Sequence, residues 1–305
     1  MPRNIPPSPF KVADLIPELA GLVRPTTLLY PRSGAPQVHE SSIGGPLLWP
    51  AAEPWPRCAD PVHYDPAHES TSAVGPEPVA MVPVVQLYAR DVPELPFPAG
   101  RDVLQVVWCP LIHEGQDQCT VLPQLYWRSE AEVSATGIRA EVLPDPLAPH
   151  GHDEDFVPRP CTVSPTRVEE FPNWDMPEGL ARTLAERLDE IEAEFGSSYY
   201  DMATTIQSKV GGYPGWTQPP NWPDCACGRR MEHLLSITAT EPGSGRWLPM
   251  DEHRDGTQVP LWRAEVDPAV DHAIGHGMDM GDLGGMYFFF CPTCPGTPWT
   301  YRSDC

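Results

Sequence analysis

Residues 208–228 read SKVGGYPGWTQPPNWPDCACG, and the fold is decided by how this stretch is read. Glycine alone takes positive φ at no steric cost, so Gly211-Gly212 marks the place where a strand ends and turns. Pro214, Pro219, Pro220 and Pro223 stand among Tyr213, Trp216 and Trp222. So many prolines exclude a helix and leave few backbone donors, which makes the stretch a rigid, extended loop. The loop ends in Cys225-Ala226-Cys227-Gly228. A second cysteine pair, Cys291-Pro292-Thr293-Cys294, begins 63 residues beyond Gly228, directly behind the apolar run 286–290.

The loop has an echo. Residues 42–60 read SIGGPLLWPAAEPWPRCAD, and a shift of 167 carries Gly44, Gly45, Trp49, Trp55, Pro56 and Cys58 onto Gly211, Gly212, Trp216, Trp222, Pro223 and Cys225. Coincidences at one offset in mostly scarce residue types indicate an internal duplication. Residues 41–172 are then a first repeat and 173–305 a second, with 1–40 supplying a helix and a lead-in strand.

Three motifs carry a family likeness: GGxP near WP in the first half, KVGGYPxWxQ followed by CxCG in the second, and GDxGxMYxFxC ahead of CxxC. Together they resemble the YwqG-like family of bacterial domains of unknown function, over about residues 41–294. That likeness implies no agreed activity, although some members are linked to immunity against bacterial toxins. GGxPxW and the paired cysteines bear a weaker similarity to the eukaryotic programmed cell death 2 proteins, which are linked to chaperoning of a ribosomal protein. Two departures stand out. The first repeat has Asp60 where the second has Cys227, and the second has Ser236 where the first has Gln86.

Composition sets the architecture. Hydrophobic residues make up 41% of 305 positions, enough for a core, and 41 prolines spread along the whole chain favour many short strands over helices. The expected fold is therefore α+β and mainly antiparallel: two pseudo-repeated sheet units with few helices. A net charge of −22 with no basic cluster opposes nucleic-acid binding and would favour a basic partner, although acidity most simply serves solubility. No apolar run is long enough to span a membrane, and residues 1–10 show no apolar core of an export signal. Nine cysteines in that setting point to a reducing cytoplasm, where paired cysteines more often hold metal than form disulfides.

Along the chain, residues 12–23 predict a short amphipathic helix limited by Pro17, and 27–30 a strand leading into the first glycine pair. Strands are expected at 81–87, 103–108, 124–128, 138–142, 167–171, 231–238 and 286–290. One clear helix spans 177–195, with Leu180, Leu184, Leu188, Ile191 and Phe195 at helical spacing, Pro177 in the first turn and Gly196 as the stop. It is expected to pack across the second sheet. Residues 241–282 form a long insertion.

The strongest chemical signal is Cys225, Cys227, Cys291 and Cys294. Four thiolates around a tetrahedral ion make a closed, structural zinc site; the alternative is four thiols packed beneath aromatic rings. The first repeat offers Cys58, His63, Cys109 and His113 as a second set. Its loose spacing favours a dismantled site in which Cys58 and Cys109 are simply buried. His150, His152, Asp153 and Asp155, and the pair His272 and His276, read as solvated loops. Trp49, Trp55, Tyr213, Trp216 and Trp222 either fill the core under proline-rich loops or line a groove for a peptide, with Gln218 and Asp282 as the nearest polar groups. Nucleophile-elbow, phosphate-loop, dinucleotide and zinc-protease motifs are all missing. The sequence thus points to a non-enzymatic cytoplasmic binding protein for a protein or peptide, and the family resemblance implies an immunity or chaperone-like role for it. An enzyme using a cleft between the repeats is the alternative.

Overall fold

A computed structural model describes the chain except for residues 61, 66–69, 74–77, 115–118, 140–153, 240, 242–244, 255–266, 272, 282 and 305. The expected sites at His150, His152, Asp153, His272 and Asp282, and most of the strand expected at 138–142, lie outside the described residues.

The strands in chain order are β1 (Arg24–Leu28), β2 (Arg32–Ser33), β3 (Ser42–Ile43), β4 (Val62–Asp65), β5 (Ser70–Ala73), β6 (Val82–Tyr88), β7 (Val103–Trp108) and β8 (His113–Glu114). They continue with β9 (Cys119–Thr120), β10 (Pro123–Arg128), β11 (Cys161–Thr162), β12 (Thr166–Glu170), β13 (Lys209–Gly211), β14 (Glu232–Thr238), β15 (Gly285–Phe290) and β16 (Trp299–Asp304). The fold is mainly antiparallel. One six-stranded sheet runs β12-β1-β13-β14-β15-β16, the other β2-β11-β3-β6-β7-β10, and β4-β5 and β8-β9 are small hairpins.

The chain divides into two units. Met1–Tyr30, Ser164–Gly275 and Asp282–Cys305 form unit 1, and Pro31–Val163 with His276–Gly281 form unit 2. Each contains one of the six-stranded sheets. The strand expected to lead into the first glycine pair runs earlier than 27–30, and it pairs with β12 and with β13, which leads into the second glycine pair. Residues 1–30 therefore belong with the second repeat's sheet.

The duplication is written in the hydrogen-bond register. Ser42 opposes Gln86 as Lys209 opposes Ser236. Trp108 opposes Pro123 as Phe290 opposes Trp299. Even the irregularity is shared, falling between Pro83 and Val85 in β6 and between His233 and Leu235 in β14. β6, β7 and β15 are buried along their whole length, which is why their apolar runs do not alternate.

The two glycine turns do what their sequence requires. Gly44 and Gly212 take φ of 78° and 65°. A Cβ on Gly44 would strike the backbone of Arg159, and one on Gly212 the Thr26 hydroxyl and the Glu170 carboxylate.

Glu170 explains that close approach. It is fully buried and accepts hydrogen bonds from Thr26 Oγ1, Tyr213 N and Thr205 N at 3.1 Å each, and from Lys209 Nζ at 2.7 Å. Lys209 is fully buried too. The pair therefore holds β13 and the start of its loop to β1 and β12. In unit 2 the same task falls to amides: Gln86 Oε1 accepts from Leu48 N at 2.7 Å and from Gln105 Nε2 at 2.8 Å.

Helix Glu178–Phe195 is stopped by Gly196 at φ 67°, as expected, while Pro177 stands just ahead of the first turn and not within it. Its packing differs from expectation. Leu184, Leu188 and Ile191 meet Phe10, Ile16, Leu19, Tyr199 and Met202, so the helix covers the amino-terminal segment and not the sheet. That segment is a helical turn, Val12–Leu15, then a 3-10 stretch, Pro17–Leu22, broken at Ile16 because the residue before proline avoids the helical region. Helices Glu130–Thr136 and Tyr199–Ala203 were not foreseen; each starts on a serine whose hydroxyl accepts from the third backbone N–H onward.

Removing one partner of a buried ion pair strands the other charge, at a cost of about 3–5 kcal/mol. Lys209→Met should lower unfolding free energy in urea by that amount, and adding Glu170→Gln should restore part of it; a loss under about 1 kcal/mol would contradict the role given to the pair. His233 tests the same region by pH. It is buried with Nδ1 donating to the Gly211 carbonyl at 2.7 Å, and burial lowers its pKa to about 3. Below the ordinary histidine value of about 6.5 the unfolded chain takes a proton that the folded chain refuses. Stability should therefore fall with pH between about 6.5 and 3, by up to about 1.4 kcal/mol per unit, and His233→Asn should flatten that slope.

Candidate metal centres

The loops behind the strands bring four ligand atoms together in each unit. The atoms of Cys225, Cys227, Cys291 and Cys294 lie within 4.8 Å of one another, and so do those of Cys58, His63, Cys109 and His113. No disulfide joins the described cysteines.

Backbone pairing sets both centres on one frame. Cys58 N donates to Val79 O at 2.8 Å and Met81 N to Pro56 O at 3.0 Å; Cys225 N donates to Arg229 O at 2.8 Å and Met231 N to Pro223 O at 3.0 Å. Across the site, Cys109 N donates to Leu122 O at 3.0 Å, and Cys291 N to Pro298 O at 2.9 Å. The first and third cysteines of the sequence pattern thus occupy equivalent places in the two units.

The remaining two ligands differ. In unit 1 they come from the tight turns Cys225-Ala226-Cys227-Gly228 and Cys291-Pro292-Thr293-Cys294. In unit 2 each turn is replaced by a hairpin: His63 stands on β4 and His113 on β8. The expectation of a dismantled first site is therefore corrected. Its ligands are displaced along the sequence by inserted hairpins, and all four are buried.

The distances fit one tetrahedral ion. Four sulfurs at about 2.3 Å from a shared centre stand about 3.8 Å apart, and a sulfur and an imidazole nitrogen about 3.5 Å apart. Cys225 Sγ to Cys294 Sγ and Cys227 Sγ to Cys291 Sγ are both 3.8 Å. Cys58 Sγ to His113 Nε2 and Cys109 Sγ to His63 Nε2 are both 3.5 Å. Both sets could hold a metal ion.

The electrostatics point the same way. A hydrogen bond from the Cys109 thiol, helped by His113, holds Cys58 down to about 4, while Cys109 is pushed up by that same contact and by burial. In the other set Thr293 lowers Cys291 to about 6, and the neighbouring sulfurs, Cys227 first, push Cys294 up to about 12. Crowded sulfurs cannot all ionise alone; a divalent cation replaces the shared protons and lets them.

Asp60, which the sequence comparison registered only as a loss, stands beside one of these histidines. Its carboxylate lies 3.5 Å from His113 Nδ1, a buried nitrogen that makes no hydrogen bond, and a small shift would let it orient the imidazole were that ring to ligate a metal. The shared Cys-Pro of Cys109-Pro110 and Cys291-Pro292 was the signal that could have revealed the second set.

The aromatic residues divide. Trp49, Tyr213 and Trp216 are buried, so they pack the core. Trp216 stacks on Phe289 at 5.8 Å and donates from Nε1 to Asp175 Oδ1 at 3.0 Å, and Trp222 Nε1 donates to that same oxygen. Trp55, itself half-buried, donates to Met81 O at 2.7 Å and lies 5.0 Å from Trp49. Gln218 is half-buried, its N–H directed to Asp304 Oδ2 at 3.3 Å. Tyr213 and Trp222 do line a cavity of about 370 Å³ in unit 1, where Arg24 sits 4.4 Å above the Tyr213 ring and 5.4 Å from that of Trp222. His276, read as part of a solvated loop, is buried instead, with Nδ1 accepting from Met278 N at 3.3 Å.

No protein-family profile and no curated protein matches the chain. The reading of the two centres therefore rests on their geometry and chemistry.

Asp60→Asn keeps the shape of that side chain but removes its charge. The metal affinity of the unit 2 set should fall about tenfold or more, measured by competition with a chromophoric chelator, while that of the four-cysteine set is unchanged.

Proposed function

We propose that the chain is a binding protein whose two units are each fastened by a structural zinc ion. The observation that supports it best is the pair of four-atom sets, one of four sulfurs and one of two sulfurs and two imidazoles, each with two edges of tetrahedral length and all within 4.8 Å. Zinc has no geometric preference of its own and suits this borderline-soft donor set. Four protein ligands leave no position for water or substrate, so the metal's contribution is to folding. The role of this chain's own residues is to present ionised sulfurs, to orient His113 through Asp60, and to close each loop against the sheet.

A protein or peptide partner, of basic character, is supported by the net charge of −22 and by the cavity that Tyr213, Trp222 and Arg24 line. The resemblance of the motifs around these residues to the YwqG-like family is in keeping with that reading. Thiols free of disulfides suit a reducing cytoplasm, and no helix among the described residues is long and apolar enough to cross a membrane.

Elemental analysis of protein purified under reducing conditions should return two zinc ions per chain. Cys227→Ser should remove one and His63→Ala the other, each lowering Tm. A stoichiometric protein partner should be retained by the loaded chain and lost on stripping the metal with a chelator. No zinc would overturn the metal reading, one zinc the pair of centres, and a partner indifferent to stripping the link between them.

A further inference from the structure

Trp174, Tyr200 and Leu283 are about half exposed, at 55%, 47% and 51%, which is unusual for large apolar side chains in this chain. All three line one cavity in unit 1, of about 410 Å³, a volume typical of small-ligand sites. Scattered apolar residues on a surface need no explanation, but three gathered around one concavity do.

Arg246 lines the same cavity from the 3-10 turn Gly245–Trp247. Its guanidinium carbon lies 3.9 Å from the centre of the Trp247 ring, which fixes the plane of the group. Among the described residues no carboxylate stands within ion-pair distance of it and no acceptor takes a hydrogen bond from it; its Nε is enclosed without a partner. Burial lowers its pKa, the sign of a cation short of solvent. The Thr217 hydroxyl, also in the lining, is buried and unpartnered as well. A guanidinium nitrogen and a hydroxyl enclosed without acceptors among the described residues cost free energy that a ligand oxygen recovers, although Glu170 acts on the cation from a distance.

We infer that this cavity binds a small ligand carrying one carboxylate on a flat apolar body, with the carboxylate on Arg246 and Thr217 and the body between Trp174, Tyr200 and Leu283. A guanidinium fork matches a carboxylate in two parallel hydrogen bonds. Asp201 adds one negative charge to the lining, so a ligand with one negative charge meets less repulsion there than a dianionic phosphate. The flat body follows from the half-exposed rings, on which a planar group stacks.

The probes are indole-3-propionate, its uncharged amide, and phenyl phosphate, titrated into the full metal-loaded chain. The readout is the set of indole N–H signals of Trp174, Trp216 and Trp247. Indole-3-propionate should bind in the micromolar to low millimolar range and shift these signals. The amide and the phosphate should each bind at least tenfold more weakly. Arg246→Gln should weaken the carboxylate at least tenfold while leaving affinity for the amide unchanged. Trp174→Ala, at an exposed position that tolerates truncation, should weaken both carboxylate and amide. Absence of binding by the carboxylate, equal binding of the amide, tighter binding of the phosphate, or indifference to either substitution would overturn the proposal. Zinc content plays no part in these outcomes, so they stand or fall apart from the metal reading.

Discussion

Three backbone hydrogen bonds decide where the sulfurs of each centre stand. They tie the loop of the first cysteine to the segment that leads into β6 or β14, and the third cysteine to the residue just before β10 or β16. None depends on the side chain it positions, so the frame survives while the loops it carries change. One unit closes its centre with two short turns and the other with two hairpins, and the ligand atoms still gather within 4.8 Å. The sheet register beneath, shared down to its one irregularity, is what keeps the two cysteines of each frame in reach of each other.

The same frame tolerates different chemistry in its core. Each unit must pin a loop that leaves the sheet through two glycines. One unit does so with a fully buried Glu170–Lys209 pair, the other with Gln86 bonded to Gln105. Amides satisfy buried backbone groups without desolvating a charge, whereas a buried ion pair must be complete to be tolerated. The sequence difference at Gln86 and Ser236 is the trace of this exchange, for Ser236 is too short to reach across and instead donates to Pro214 O at 2.9 Å.

Much of this was legible beforehand, and the reasons differ by feature. β7 was placed to the residue because a continuous apolar run between turn residues has one reading in a proline-rich chain. Helix Glu178–Phe195 was equally plain from its spacing, its Pro177 and its Gly196. Its partner was not, because an amphipathic stripe states that a face is buried and never what buries it. The four-cysteine set announced itself through short spacing. The Cys58, His63, Cys109 and His113 set did not, because inserted hairpins erase spacing while leaving position intact. Short strands such as β2, β3 and β11 were invisible, being two residues long and defined only by what lies beside them. The tryptophans were assigned a choice between core and groove, and accessibility, which no pattern encodes, separates Trp49 and Trp216 from Trp222.

One feature of the topology bears on how the molecule is made. The two sheets are threaded differently: β2, β3, β6, β7, β10 and β11 all fall within residues 32–162, whereas that whole stretch separates β1 from the rest of its sheet, β12–β16. On the ribosome, β1 emerges first and must wait for nearly two hundred residues of synthesis before its neighbour β13 exists. A nascent chain in that interval holds an unpaired strand edge, the kind of surface that holdase chaperones cover. The same threading makes the stretch that carries the sheet of unit 2 an insertion between β1 and β12, so a cut anywhere between those two strands parts β1 from the rest of its sheet.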